Sequence, residues 1–173
     1  ESEKIKDRLN IVISNILFGV IMITILVAIL INTRMAIIIA IGIPTAFVMG
    51  IISLYLWGYT INMITLVGVL IALGIIVDDA IVVSENIQQH IEEGIPPKDA
   101  AVMGAKEMAK PVTIASITTL FAFIPSLMIS GNLGEVIKLI PIAFCALVIA
   151  SLIESFVFLP IHAAHTLKSK AKT

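Results

Sequence analysis

Apolar runs of about twenty residues recur along the chain, and no feature narrows its possible folds more. A bilayer's hydrocarbon core is crossed by a helix of roughly 20 predominantly apolar residues. The chain offers such runs at about 11–31, 35–57, 61–88, 111–130 and 136–160. Composition agrees: 59% of the 173 residues are hydrophobic and 13% charged, with a mean hydropathy of +1.11. A soluble domain is nearer about 45–50% apolar and about 25% charged. The fold class expected is all-α, a polytopic helical membrane protein with five transmembrane helices. A short cytoplasmic amphipathic helix at about 97–109 completes it, and residues 1–173 form one transmembrane domain fragment. The net charge of −1 says nothing about nucleic acid, but no basic cluster able to grip phosphates occurs, so no nucleic-acid partner is expected. The single Cys145 has no second cysteine to pair with and reads as a small buried hydrophobe. The first residue is Glu1, and no signal-peptide pattern opens the chain, so the sequence is expected to be part of something longer.

Punctuation between the runs is consistent with this reading. Asn32-Thr33-Arg34 makes a very short turn. The second run contains Pro44, which membrane helices tolerate where neighbours satisfy the freed carbonyl. Gly42, Ala46 and Gly50 fall every four residues and form a smooth ridge for close helix contact. Tyr55, Trp57 and Tyr59 cluster at the next turn, as residues of an interfacial aromatic belt do. Asn62 and Thr65 open the third run as caps. Gly94-Ile95-Pro96-Pro97 breaks the helix, and Pro97 with Asp99 opens the surface helix. Arg34, Lys98, Lys106, Lys110, Lys168, Lys170 and Lys172 fall on one side of the layout; Lys4, Lys6, Arg8 and Lys138 fall on the other. The excess of positive charge predicts a C-terminus in the cytoplasm and an N-terminus outside, which is periplasmic if the membrane is a bacterial inner one.

Within the third run stand two adjacent carboxylates, Asp78 and Asp79. An aspartate at the centre of a spanning helix costs roughly 2.5–3.5 kcal/mol on an insertion scale, so such residues mark ion or proton sites by default. Successive helix residues project about 100° apart, so the two face different neighbours. Glu85 shares the face of Asp78, and Asn86 shares that of Asp79. Gly68, Ala72 and Gly74 let other helices come close. A charged carboxylate is costly away from water, and two adjacent ones take up protons as a unit. That behaviour suits a proton carrier. Apart from Lys138 at the very start of the last run, no Lys or Arg lies inside an apolar run, so the pair is either neutral or partnered by a segment outside this sequence. Among weaker polar candidates, Glu154 is flanked by Ser151 and Ser155, and would snorkel or be capped by a serine. Thr113, Ser116, Thr118 and Thr119 would bond either the aspartates or their own i−4 carbonyls. His90, His162 and His165 lie outside the apolar runs and read as surface residues, with no metal site expected.

The stretch from Gly74 to Ile87, with Asp78-Asp79 and Glu85-Asn86 at its heart, resembles the fourth transmembrane helix of resistance-nodulation-division (RND) transporters of the acriflavin-resistance, multidrug-exporter type. The resemblance extends through Asn32-Thr-Arg34, Ile43-Pro44, Tyr59-Thr-Ile-Asn62, Glu93-Gly94-Ile-Pro96-Pro97, Lys110-Pro111-Val-Thr113, Phe123-Ile-Pro125, Ser130-Gly131 and Ile153-Glu154-Ser155. Ser84 stands where many relatives have an apolar residue. The resemblance implies transmembrane helices 2–6 of the first half of such a transporter. It also implies that Asp78 and Asp79 are proton-relay residues and that a lysine from the missing second half faces them. It further implies a homotrimer in the bacterial inner membrane working with a periplasmic adaptor and an outer-membrane channel.

The function expected is therefore the proton-relay part of a drug/proton antiporter, driven by the proton-motive force. Protons are its coupling ion, no other cofactor is expected, and the chain is not an enzyme. An intramembrane aspartyl protease is disfavoured, because adjacent aspartates on one helix diverge too far to flank one scissile bond. A non-transporting membrane scaffold, an isolated fragment without activity, and a protein-export relative of the same superfamily are the alternatives.

Overall fold

The structure is a computed structural model that describes residues 2–167. Lys168, Lys170 and Lys172, which weighed in the orientation argument, lie outside the described residues, as do the side chains of Lys4, Lys6 and Arg8. The elements are α1 (Ser2–Leu30), α2 (Thr33–Leu56), α3 (Met63–Glu92), α4 (Pro97–Leu127), α5 (Asn132–Ile137), α6 (Leu139–Ile153), a π-helical segment (Glu154–Phe158) and α7 (Leu159–Thr166). All are helical, as the apolar runs require.

Each boundary has a local cause. Asn32 caps α2, its side-chain oxygen accepting from the Arg34 N–H at 2.9 Å. Asn62 caps α3 in a reciprocal box: its Oδ1 accepts from the Thr65 N–H at 3.0 Å, and Thr65 Oγ1 accepts from the Asn62 N–H at 2.8 Å. Two orphan donors of the first turn are thereby satisfied. The chain leaves α3 at Gly94, whose φ of 92° only glycine adopts readily. The Ile95 N–H then closes back on the His90 carbonyl at 3.0 Å.

Four helical stretches are long and apolar enough to cross a membrane among the described residues: Thr33–Leu56, Met63–Glu92, Pro97–Leu127 and Gly134–Thr166. α1 adds the apolar stretch Leu17–Leu30 within its longer helix. Two boundaries differ from the sequence reading. The surface helix at 97–109 and the span at 111–130 are one continuous helix, α4, with Pro111 inside it. Proline removes a single helix bond, and the helix on both sides of it carries the chain through. The helix of the last span continues past 160, through α7 to Thr166.

α3 is the central element. It packs most extensively on α6, then on α4 and α2, while α1 is held at the edge by α2. Two apolar clusters fill the interior. One contains Met35, Ile39, Val83, Ile87 and Leu159. The other contains Ala46, Leu54, Val69, Ile76, Phe144 and Leu147, with the Phe123 and Phe144 ring centroids 4.4 Å apart. Each of α2, α3, α4 and the α6 column contributes to both clusters or their margins. The buried polar side chains Asp79, Ser116, Ser151, Glu154 and Ser155 fall at the seam between them.

The expected ridge on α2 is present. Gly42, Ala46 and Gly50 are all buried. A Cβ at Gly50 would come 2.7 Å from Leu147 side-chain atoms, so α6 uses the space the glycine leaves. Gly68 on α3 gives the same close approach to α6, at Ile140 and Ala143. Ala72 is fully buried in the second cluster. Gly74 departs from the expectation. A Cβ there would meet nothing within 4 Å, because Gly74 faces an open groove between α1 and α3.

Candidate functional site

Asp78 and Asp79 lie in the middle of α3 and diverge as helical geometry demands. Asp79 is 7% exposed and turns into the junction of α3, α4 and α6. Ser151 of α6 donates to its Oδ2 at 3.4 Å, long for a hydroxyl–carboxylate bond. Ser116 of α4 stands beside the same carboxyl. The Ser116 hydroxyl is buried and makes no hydrogen bond among the described residues, so it stands near Asp79 without being bonded to it.

Asp78 is exposed and lines a groove of about 400 Å³ between α1 and α3. Asn15 and Gly19 of α1 and Leu70 and Gly74 of α3 form part of its wall. Leu26 and Ile81 are shared with a second groove of about 490 Å³, lined further along by Glu85, Gln88, Gln89 and Glu92. Glu85 thus shares the open side of α3 with Asp78, and Asn86 lies on the α4 side. One carboxylate is enclosed by this chain's own helices, and its neighbour is presented outward.

The other polar candidates distribute unevenly. Thr118 donates to the Ile114 carbonyl at 2.8 Å and Thr119 to the Ala115 carbonyl at 3.0 Å. Both bonds are internal to α4, so neither threonine reaches the aspartates. Ser84 likewise donates within α3, to the Ile81 carbonyl at 2.8 Å. Glu154 neither snorkels nor takes a serine cap among the described residues. It is 3% exposed, and its carboxyl lies against Gly42 of α2.

His90 corrects the surface assignment of the histidines. It is 9% exposed and sits where α3 meets the first half of α4. Asn86 Nδ2 donates to Glu107 Oε2 at 3.0 Å and to the Gly104 carbonyl at 3.2 Å. His90 Nε2 reaches the same Glu107 oxygen at 3.0 Å. The Asn86 amide, and after it His90, hold the Glu107 carboxyl below the ordinary glutamate range. A Cβ at Gly104 would fall 2.8 Å from the Ile87 backbone nitrogen, so the two helices touch backbone to backbone. The small residues Ala100, Ala101, Gly104 and Ala105, all buried here, are the signal in the sequence from which this contact could have been read. His162 and His165 are exposed, as expected. Among the described residues, no group of three His, Cys, Asp or Glu side chains is placed to hold a metal ion.

Comparison with known proteins places this arrangement in a family. The model of the "AcrB/AcrD/AcrF family" matches residues 1–173. Multidrug resistance protein MdtC of Photorhabdus laumondii is 36% identical over 137 residues, 79% of this chain and 13% of that protein. MdtC of Proteus mirabilis is 37% identical over 135 residues, 78% of this chain and 13% of that protein. MdtC of Yersinia pestis is 34% identical over 139 residues, 80% of this chain and 14% of that protein. The chain belongs to the AcrB/AcrD/AcrF family, the RND multidrug transporters, and spans about 13% of the length of the curated relatives it matches.

Proposed function

We propose that this chain is the proton-relay part of an RND multidrug exporter driven by the proton-motive force, with Asp78 and Asp79 taking up and releasing the coupling protons. The observation that carries this reading is their opposite environments on one helix. Asp79 is enclosed against Ser151 and Ser116, whereas Asp78 opens on the α1–α3 groove. Two adjacent carboxylates so placed exchange protons as a coupled pair. A change in the charge of either alters what its own neighbours, α4 and α6 or the groove's occupant, can pack against. Burying both as charges without a cation is prohibitive in hydrocarbon. A lysine from the second half of the transporter, seated in the groove at Asp78, supplies that cation in this reading.

Glu85 extends the acidic lining of the groove toward the Gln88–Glu92 end. Asn86 acts indirectly, by clamping α4 to α3. The orientation that fits the charge count puts the Asn32 turn and the Gly94 turn in the cytoplasm of a multi-pass inner-membrane protein. The working assembly in this reading is a trimer, joined to a periplasmic adaptor and an outer-membrane channel.

The test is drug efflux by the full-length protein carrying Asp78→Asn or Asp79→Asn. Each change keeps the side-chain shape and removes the proton-binding oxygen. Both variants are expected to reach the membrane in normal amounts and to lose drug/proton exchange. Retention of wild-type exchange by either one would overturn the relay.

A further inference from the structure

Glu154 is the second buried carboxylate of the interior, and the relay does not use it. It sits at the first position of the π-helical segment Glu154–Phe158, between α6 and α7. π-Turns interrupt regular α-helical hydrogen bonding and occur mostly as single-turn bulges inside α-helices, frequently at functional sites. Here the bulge falls where the column must place a carboxyl against α2. The carboxyl occupies the space in which Gly42 lacks a side chain: a Cβ on Gly42 would come 2.7 Å from Glu154 Cδ and closer still to Oε1.

The seat's chemistry is one-sided. Inside a helix each backbone N–H is already donated to the carbonyl four residues back. The flank bared by a glycine therefore presents carbonyl oxygens with a spare lone pair and no free N–H. A protonated carboxyl can donate to such a surface. A carboxylate can only accept, so it finds no donor and faces the negative ends of carbonyl dipoles. Ser155, the nearest hydroxyl in sequence, is fully buried with its own oxygen unpartnered among the described residues. No Lys or Arg occurs in α2 beyond Arg34, or anywhere from 139 to 158.

The titratable and charged groups on the elements packed against this segment are few within the apolar layers. α2 carries Arg34 and Tyr55 at its two ends. α6 carries Cys145. α3 brings Asp78, Asp79 and Glu85, then His90 and Glu92 at its end. Of these, Asp79 is bonded through Ser151, one turn before Glu154. α4 brings Lys98, Asp99, Lys106, Glu107 and Lys110 in its first half. α7 brings His165 and His162, and the latter's Nδ1 is 2.8 Å from the Phe158 carbonyl.

We propose that Glu154 is a second proton-binding site, whose protonated carboxyl docks on the bare backbone of α2 at Gly42 and whose deprotonation drives the carboxylate off that seat and loosens the α2–α6 contact. It does not rest on the Asp78–Asp79 relay. It gives the α2 ridge a role that packing alone does not. Gly50, farther along, receives an ordinary leucine, and only Gly42 receives an ionisable group.

The experiment is infrared difference spectroscopy, between acid and alkaline pH, on the full-length protein in lipid. The expected result is a protonated-carboxyl band that shifts with carbon-13 labelling of glutamate and vanishes in Glu154→Gln. It should persist in Asp78→Asn and Asp79→Asn, and be displaced in Gly42→Ala. The two aspartate variants remove only their own bands, so failure of the relay and failure of this site are read separately. A band that survives Glu154→Gln, or one that is unmoved by Gly42→Ala, would overturn the proposal. Should Glu154→Gln fail to fold, the labelled unmodified protein still decides. Absence of any glutamate band across the pH range where the protein is folded also overturns it.

Discussion

At the scale of single residues, neighbours in sequence have opposite surroundings. Asp78 and Asp79 were both legible from the chain, because carboxylates inside an apolar helix need a reason to be there. Their different faces followed from helical geometry. The partners did not: Ser116 and Ser151 are ordinary serines in sequence, and only the crossing of α4 and α6 over α3 brings them to Asp79. His90 shows the same limit. A histidine just past an apolar run reads as solvated, yet here it is buried beside Glu107. That cluster carries a pH prediction. The carboxyl of Glu107 is held below its ordinary range, so the stability it contributes is fully present above that range. It is lost as pH falls through the lowered value. Half of the Glu107 side chain is exposed, so the effect is small. The melting temperature of Glu107→Gln in detergent should lie slightly below that of the wild type at neutral pH. The two should converge once the medium is acid enough to protonate the carboxyl. A difference that does not change with pH would mean that the amide and imidazole contacts do not depend on the charge.

At the scale of helices, periodicity and punctuation located every long element, and the misses have physical causes. Pro111 reads as a boundary because proline usually ends a helix, yet α4 runs through it. The Ala100–Ala105 face needs α3 alongside it, so the first half of α4 is packed rather than free on a surface. Small residues were read as contact points in general, and spacing alone cannot tell a filled contact from an open one. Gly68 and Gly74 make the distinction measurable. At Gly68 a Cβ would fall 3.0 Å from Ala143 Cβ and crowd the Ile140 carbonyl carbon at 3.1 Å. Overpacking of this kind costs about 1–3 kcal/mol, offset in part by the roughly 0.5–1 kcal/mol that alanine gains over glycine within a helix. Gly68→Ala should therefore destabilise the chain by about 1–2 kcal/mol in thermal or denaturant melts in detergent. Gly74→Ala meets nothing within 4 Å and should be neutral or stabilising by up to about 1 kcal/mol. Equal effects at the two positions would mean that the α3–α6 approach at Gly68 is looser than described.

At the scale of the whole molecule, the chain is closed on one side of α3 and open on the other. α6, α4 and α2 cover the face of Asp79, whereas the face of Asp78 looks into a groove walled mainly by α1, with Ile43 of α2 at its margin. The groove continues past Leu26 and Ile81 to Glu85 and Glu92, so among the described residues one long acidic side of the central helix has no Lys or Arg lining it. The curated relatives are about six times as long as this chain, and in the proposed reading a helix from that remainder covers this side. The relatives' lengths leave ample chain to provide it. This leads to an accessibility prediction that needs no transport assay. A cysteine introduced as Asp78→Cys, in a background with Cys145 replaced by Ala, should react readily with a small thiol reagent when this segment is produced alone in detergent. The same substitution in the full-length protein should be slowed by at least about tenfold, the factor that corresponds to roughly 1.4 kcal/mol of protection at equilibrium. Asp79→Cys should react slowly in both, because its cover of α4 and α6 is already present within the segment. Equal reactivity of Asp78→Cys in the two settings would show that nothing from the remainder of the protein occupies the groove. The cation that balances the pair would then have to reach it by another route.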